Sequence, residues 1–508
     1  MKIVAGIDVG GTNTDAVLVR DGQIAAFAKV PTTADVRSGI VEALAQLGDA
    51  ASAQRVHIGT TSFTNALVER RELAPAAAVR LGGPVSQSLP PTCDWPEDLR
   101  SATRTRSFFI EGGREFDGRP IGTLDRAAIR DVARALAEDR ITQAAVTGVF
   151  ATSHPDDEIQ AAKWLRKENP ALAITMSHRI GRFGIIEREN ATLLNAMLQP
   201  LAARTIAAYH DAVSTRLFIS QNDGTVVRSD SASTMPIFTV ASGPTNSLRG
   251  ASILGGARDA IVLDVGGTTT DAGVIHGGYP QPAGLELTVA GVRTNFRMPD
   301  LYSIGIGGGS LVDEASGAVG PRSVGFRLTS EALVFGGNTL TLTDVAVAAG
   351  RLAIGDPARV ANLDRELMAR VDNHLRRRLE RLLENYERAN QQLPVVLVGG
   401  GAALIEELLR SLGRTVICPA HAGIANALGA AMAQVGGEAD LTFAAAEVSR
   451  AEALSRAEQE AHRRAVAAGA APGSTITVEL EDAALSYLAA DAMRVRARAI
   501  GDIEESSQ

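Results

Sequence analysis

Cysteine is almost missing from this chain of 508 residues: Cys93 and Cys418 are far apart and in no CxxC or metal-ligand spacing. Within a lone chain that excludes a disulfide framework, a cysteine-bound structural zinc and a cysteine-ligated iron–sulfur cluster. Aromatic residues are scarce at 4%, and positive charge is not in excess, the formal net charge being −8 and the pI about 5.6. Without a global basic surface, nucleic acid is not an expected partner. Long hydrophobic runs are also lacking; the longest, 393–405, is 13 residues, contains three consecutive glycines and is too short to span a bilayer. The N-terminus enters a strand-like segment directly, without the apolar stretch and cleavage site of a secretory signal. The expectation is a cytoplasmic protein with no membrane partner, large enough for two or three domains.

Glycine, in contrast, is abundant: 50 residues, about one in ten against a usual ~7%. Part of the excess lies in an internal repeat. Residues 7–19 read IDVGGTNTDAVLV and residues 263–275 read LDVGGTTTDAGVI, with eight of 13 positions identical at an offset of 256. Each copy is flanked by β-rich stretches and reads as a hairpin whose turn is Gly-Gly-Thr-x-Thr-Asp. Such a turn suits phosphate, because glycines let backbone N–H groups converge on an anion and threonine hydroxyls add donors. Asp8 and Asp264, just ahead of the glycines, would repel phosphate unless a divalent cation lay between, so Mg²⁺ with a nucleotide is the economical reading. One such hairpin would read equally well as a tight turn without ligand; two near-identical copies favour the ligand. Two further clusters follow: SIGIGGGS at 303–310, and a strand–glycine–helix segment, PVVLVGGGAALIE, at 394–406.

This arrangement resembles the actin-like ATPase superfamily. The resemblance sharpens at residues 57–71 (HIGTTSFTNALVERR), 177–200 (SHRIGRFGIIERENATLLNAMLQP), 240–251 (VASGPTNSLRGA), 303–310 and 420–431 (AHAGIANALGAA), which are similar to the hydantoinase A/oxoprolinase family. The resemblance implies an α/β, actin-like ATPase (ribonuclease H-like) fold in which two similar α/β domains close on a nucleotide cleft. It also implies ATP and Mg²⁺ as cofactors, a lactam or imide such as a hydantoin or 5-oxoproline as substrate, and phosphorylation of the amide oxygen by this A-type chain. A separate B-type subunit would complete ring-opening hydrolysis. Related members activate ketones for carboxylation. The chain is shorter than the larger A subunits and carries no B-type half, and at 78–84 it reads AVRLGGP in place of a threonine-rich strand end. Homo-oligomerisation stays open, as do two other readings: a small-molecule kinase of the same fold, and a regulatory ATPase acting on a partner protein.

Roles follow from the motifs and the resemblance together. Asp8, Gly10, Gly11, Thr12 and Thr14 are assigned to one phosphate hairpin, and Asp264, Gly266, Gly267, Thr268 and Thr269 to the other. Asp8 and Asp264 are the catalytic pair, one holding Mg²⁺ and the other orienting or deprotonating the acceptor, with Asp8 favoured for the metal. Gly307, Gly308, Gly399, Gly400 and Gly401 are nucleotide loops, and Thr60, Thr61, Asn65, His178 and Glu187 are assigned to the substrate. Asn190 and Asn195 are weighed as cleft-facing against the bland reading of a helix start. Asp15 and Asp271 read as turn caps, the loop 111–118 with Arg114 as surface turns, and Arg376 to Arg378 as the solvated face of a long helix. The expected domains are 1–180, 181–436 and a small C-terminal element, 437–508.

Overall fold

The computed structural model describes the chain except residues 1, 12, 33–35, 50–51, 285–286, 387–391, 445–447, 486–491 and 506–508. Spatially the chain forms two units: Met1–Thr60 with Ala241–Ala283 and Pro299–Ala433, and Thr61–Val240 with Gly284–Met298 and Gln434–Gln508. The units are interleaved along the sequence, unlike the contiguous spans expected, and both glycine hairpins belong to the first.

The first unit holds two sheets built alike. Strand Ile3–Val9 pairs antiparallel with Asn13–Arg20, which pairs with Gln23–Pro31, while Arg55–Thr60 runs parallel on the other side. In the second sheet Ala260–Val265 pairs antiparallel with Thr270–His276, and Val395–Val398 runs parallel beside it. Apart from Gly6 and the aspartates Asp8 and Asp264, the central strands are apolar because both faces are covered. Helix Ala425–Ala431 buries Ala427, Leu428 and Ala431 against Val4, Val17 and Val19 of the first sheet. Helix Ser242–Gly255 buries Leu248 and Ala251 against Ala260 and Val262 of the second. The two helices then touch backbone to backbone: a side chain at Gly250 would overlap Ala425, and one at Gly429 would overlap Asn246. This close helix pair joins the two sheets in one body, which is the physical reason that the hairpins share a unit.

In the second unit four parallel strands lie in the order Arg106–Ile110, Ala76–Leu81, Gln143–Gly148, Ala173–Met176. Helices Arg126–Glu138 and Asp156–Glu168 cover one face, burying residues such as Ile129, Leu136 and Leu165. The 28-residue helix Ile185–Ala212 covers the other face with Leu194, Met197 and Leu198. The same unit contains strands Val435–Ala444, Ile476–Leu485 and Ala492–Gly501, against which helix Arg450–Ala467 lays a stripe of Ala453, Ala457, Ala461 and Ala465. In the first unit, helix Arg365–Glu384 starts at the side-chain cap of Asp364 and buries Leu367, Val371, Leu375 and Leu379. Arg377 is exposed between those positions, as expected, while Arg376 and Arg378 are half-buried.

Candidate nucleotide site

The repeat in sequence is a repeat in geometry. At the first hairpin Val9 faces Thr14, Asp8 faces Asp15, and Gly10 N–H donates to Asn13 O at 3.0 Å. At the second, Val265 faces Thr270, Asp264 faces Asp271, and Gly266 N–H donates to Thr269 O at 2.9 Å. The turn is shorter than the motif, since Thr14, Asp15, Thr270 and Asp271 already lie on strands. Each leading aspartate leans over a glycine of the neighbouring parallel strand or its end. A Cβ at Gly59 would meet Asp8 Oδ1 at 2.5 Å, and one at Gly399 would overlap Asp264 Oδ1. Gly399 has φ +84°, a conformation that favours glycine, and its neighbour Gly401 donates N–H to Val265 O at 2.8 Å.

A cleft of about 380 Å³ opens at these elements. Gly266, Gly267, Gly308, Gly399, Gly400 and Gly401 line it with bare backbone, Asp264 and Ser247 with polar groups, and Leu328, Leu352, Ile354 and Leu404 with an apolar wall. The 303–310 loop is stitched to the second hairpin, with Gly308 N–H donating to Gly266 O at 3.0 Å and Gly309 N–H to Gly267 O at 2.7 Å. Gly307 sits so close to Thr268 that a side chain would strike its backbone at 2.6 Å. From the first hairpin the cleft receives Asn13 and Asp15, with Lys29 of the next strand. Asp8, Gly10, Gly11 and Thr14 are not among its lining residues; Thr14 Oγ1 instead lies 3.1 Å from Thr32 Oγ1, which donates to Gly10 O at 2.8 Å. Thr268 and Thr269 are likewise not in the lining. Thr12 lies outside the described residues.

The charges converge. Asn426 Nδ2 donates to Asp8 Oδ2 at 2.9 Å and to Asp15 Oδ2 at 3.1 Å, and Lys29 forms an ion pair with Asp15. Asp15 is therefore held by a lysine and an amide, and Asp271 accepts from the Ser303 hydroxyl; neither caps a turn. Burial pushes the Asp8 carboxyl up to about 6, with repulsion from Asp15 and Asp264 adding and Asn426 offsetting. Asp264 is also pushed up to about 6, by burial and then by Asp271 and Asp15, against the Ser247 hydrogen bond and Lys29. The Asn246 side chain, which lies beside Asp8 over Gly59, offsets that carboxyl's rise as well. A phosphate cradle with carboxylates held above their ordinary range is short of positive charge, a deficit that a divalent cation would fill.

The chain's first part, residues 4–169, matches the model of the hydantoinase/oxoprolinase N-terminal region, and residues 188–370 match that of hydantoinase/oxoprolinase itself. The chain belongs to the hydantoinase/oxoprolinase family. Among relatives of this family member, the caprolactamase subunit alpha of Pseudomonas jessenii is 27% identical over 393 residues, 69% of this chain and 55% of that protein. The acetophenone carboxylase gamma subunit of Aromatoleum aromaticum (strain DSM 19018 / LMG 30748 / EbN1) is 26% identical over 389 residues, 68% of this chain and 52% of that one. The chain thus matches about half the length of these relatives. The crystal structure of the ATP-dependent caprolactamase from Pseudomonas jessenii has a TM-score of 0.78 at 19% identity, covering 99% of this chain and 89% of that one. Nucleotide-free acetone carboxylase has a TM-score of 0.67 at 18% identity, covering 100% and 90%. The two-sheet body with its twin hairpins is accordingly an actin-like ATPase fold.

The residues assigned to the substrate do not all join this family site. Thr60 ends a strand of the first unit and is buried, whereas Thr61, Asn65, His178 and Glu187 belong to the second. Thr61 holds the N-cap position of helix Ser62–Glu69 without a side-chain capping bond, and Asn65 is exposed on that helix. Glu187 lies in the first turn of Ile185–Ala212 and pairs with Arg293 at 3.6 Å. Asn190 and Asn195 are fully buried and bonded within the unit, Asn190 to Trp95 Nε1 at 2.7 Å and Asn195 to Thr175 Oγ1 at 3.1 Å. Both are core residues. The loop 111–118 makes turns, as expected, with Arg114 pairing to Asp157. Sequence reasoning missed Lys29, Asn246, Ser247 and Asn426. The motif 240–251 contained Asn246 and Ser247 and the motif 420–431 contained Asn426, but only folding brings them to Asp8 and Asp264.

Proposed function

We propose that this chain is the ATP-dependent activating subunit of an enzyme that opens a cyclic amide such as a hydantoin or 5-oxoproline. The observation that carries the reading is the convergence of Asp8, Asp15, Asp264, Lys29 and Asn426 beside a glycine-walled cleft. The second hairpin and the 399–401 loop would hold the nucleotide, backbone N–H groups taking the phosphates and the Leu352, Ile354 and Leu404 wall the base. No group of three or more His, Cys, Asp or Glu side chains able to hold a metal occurs among the described residues. That suits Mg²⁺, which is usually held by one or two carboxylates together with substrate phosphates. Mg²⁺ would neutralise phosphate charge, with Asp8 as the preferred protein contact.

The chemistry has a clear physical basis. A lactam carbonyl is a weak electrophile with a poor leaving group; placing phosphate on its oxygen yields an imidate that water can attack. Asp264 would orient the acceptor, and Lys29 would balance charge as it develops. The named relatives support a carbonyl acceptor: one is a caprolactamase subunit and the other an acetophenone carboxylase subunit. Both are subunits, which favours a B-type partner for this chain as well. The acetophenone carboxylase relative supports a second reading, activation of a ketone for carboxylation. Among the described residues no helix is long and apolar enough to cross a membrane. The test is Mg²⁺-dependent ADP release with 5-oxoproline, hydantoins, other lactams, ketones and sugars, alone and with the co-purified partner. Stimulation by a cyclic amide, lost in Asp264→Ala, is the expected result. Stimulation only by a ketone moves the enzyme to the carboxylase branch, and stimulation only by a sugar makes it a kinase.

A further inference from the structure

A second cavity of the first unit, about 450 Å³, opens beside the nucleotide cleft and shares Lys29 and Gly423 with it. Phe27, His421 and Ile424 wall this cavity, and Gln46 adds a polar group to that of Lys29. Strand register sets where it lies relative to the charges. Asp8, Asp15 and Lys29 face one another in one row across three strands, and Gly6, Val17 and Phe27 form the next row on the same face. Strand rise separates the two rows by about 7 Å, the length of one substituted ring. Val17 is packed under Ile424 and the helix that follows it. Phe27, on the outer strand, lies beyond that cover and keeps 53% of its surface exposed.

The opposite wall departs from ordinary backbone. His421 holds φ +62°, in the left-handed region that residues with a side chain seldom enter and that clusters at functional sites. Its ring meets that of Phe27 edge to face at 5.3 Å. The turn that follows is fastened at both ends: Ile424 N–H donates to His421 O at 3.0 Å, and Gly399 N–H donates to Ala422 O at 3.0 Å. One turn thus carries the cavity wall and braces the triple-glycine loop, which fixes cavity and nucleotide cleft to each other. The cleft has an apolar wall of its own in Leu352, Ile354 and Leu404, and a nucleotide has one base to place. A second apolar cavity that reaches the Lys29–Asp15 ion pair is left for the other reactant.

We propose that this cavity receives the non-reacting body of the phosphoryl acceptor, an apolar ring lying against Phe27, His421 and Ile424 with the acceptor oxygen at Lys29. The favoured acceptor is then a carbonyl compound bearing a phenyl-sized apolar substituent, whether its carbonyl belongs to an amide or to a ketone. The inference rests on the carbonyl-activation reading above and adds to it the residues that select the acceptor.

Matched pairs that differ by such a substituent test it: 5-benzylhydantoin against hydantoin, and acetophenone against acetone. Each is titrated calorimetrically into the full chain with Mg²⁺ and a non-hydrolysable ATP analogue present. In one pair or both, the phenyl-bearing member should bind about tenfold more tightly, the order expected for burying one ring against apolar side chains. Phe27→Ala should erase that ratio without altering Tm or the affinity for the ATP analogue, because the side chain it removes is half exposed. His421→Gly, which removes the second ring and relieves the left-handed residue, should reduce the ratio by about threefold without lowering Tm. No ratio in either pair, or a ratio that survives Phe27→Ala, overturns the proposal. So does a loss of nucleotide affinity in Phe27→Ala, which would make the cavity part of the nucleotide site. Carbonyl-stimulated ADP release with equal KM for both members of each pair would sink this pocket and leave carbonyl activation standing. A ratio lost in Phe27→Ala, in a chain whose ADP release no carbonyl compound stimulates, would do the opposite.

Discussion

At the first hairpin, Asp8 is buried under an asparagine and its partner Asp15 is gripped by Lys29, while the glycines of the turn lie outside the cleft lining. At the second, the turn glycines form the cleft wall, and Gly266 and Gly267 accept hydrogen bonds from a third loop. The backbones are alike to the level of paired residues, so the difference comes from what folds against each copy. Beside the first lies an edge strand that delivers a lysine; beside the second lie the 303–310 and 399–401 loops, which deliver bare backbone. One motif has become a charge-presenting element in one copy and a nucleotide cradle in the other.

The largest expected effect is on turnover. Asp264→Asn and Asp8→Asn should each cut substrate-stimulated ADP release by about 10²–10³, the range for losing one well-placed electrostatic group; a loss confined to one hairpin would end the idea of a shared site. Next comes Gly399→Ala, which forces a side chain at φ +84° into Asp264 and the Val265 backbone. Chemical denaturation should show a loss of about 2–4 kcal/mol. Gly59→Ala, with ordinary φ and a nearest clash against side chains, should cost less stability while still impairing turnover.

The raised carboxyls set a pH dependence. Both fold with a carboxyl near 6 against an ordinary 3.8, so the folded state holds those protons more tightly. Their contribution to stability is present below about pH 4 and lost as pH rises through about 6. Asp8→Asn should therefore raise the Tm of the nucleotide-free protein at pH 8, by at most about 3 kcal/mol in stability, and leave it unchanged at pH 4. An equal gain at both pH values would mean that charge is not the cause.

Smaller effects sharpen the contrast between the copies. Neither Gly267 nor Gly11 has an atom within 4 Å of an added Cβ, yet only Gly267 lines the cleft. Gly267→Val should weaken ATP binding about tenfold, and Gly11→Val several-fold less; equal losses would place both turns on the phosphates. Lys29→Met should be the mildest for stability, within about 1 kcal/mol for a half-exposed ion pair. Its cost should appear in ADP release at saturating ATP.

The hairpins, the triple-glycine loop and the long helices were legible because each rests on local rules: strand alternation, glycine turns, and apolar residues at helical spacing. Asp15 and Asp271 look like turn caps while the motif reads as one long turn; pairing with Asp8 and Asp264 extends the strands and points both side chains elsewhere. Asn190 and Asn195 looked available at a helix start, but the helix begins earlier, at Ile185, and packs both into a core. Lys29 carried no signal at all, being one lysine on an ordinary strand. Its meaning comes from a cross-strand neighbour fourteen residues away.

By itself the sequence determined the repeat, the glycine loops and the family, since hydrophobic pattern and turn chemistry act between residues close along the chain. Tertiary structure alone decided that both hairpins share one body, that Asn426 reaches Asp8 across 418 residues, and that a glycine stands under each aspartate. Those outcomes depend on close packing of helices Ser242–Gly255 and Ala425–Ala431, and on burial that raises two carboxyls. Packing and burial are properties of the surroundings, which no local window of residues contains.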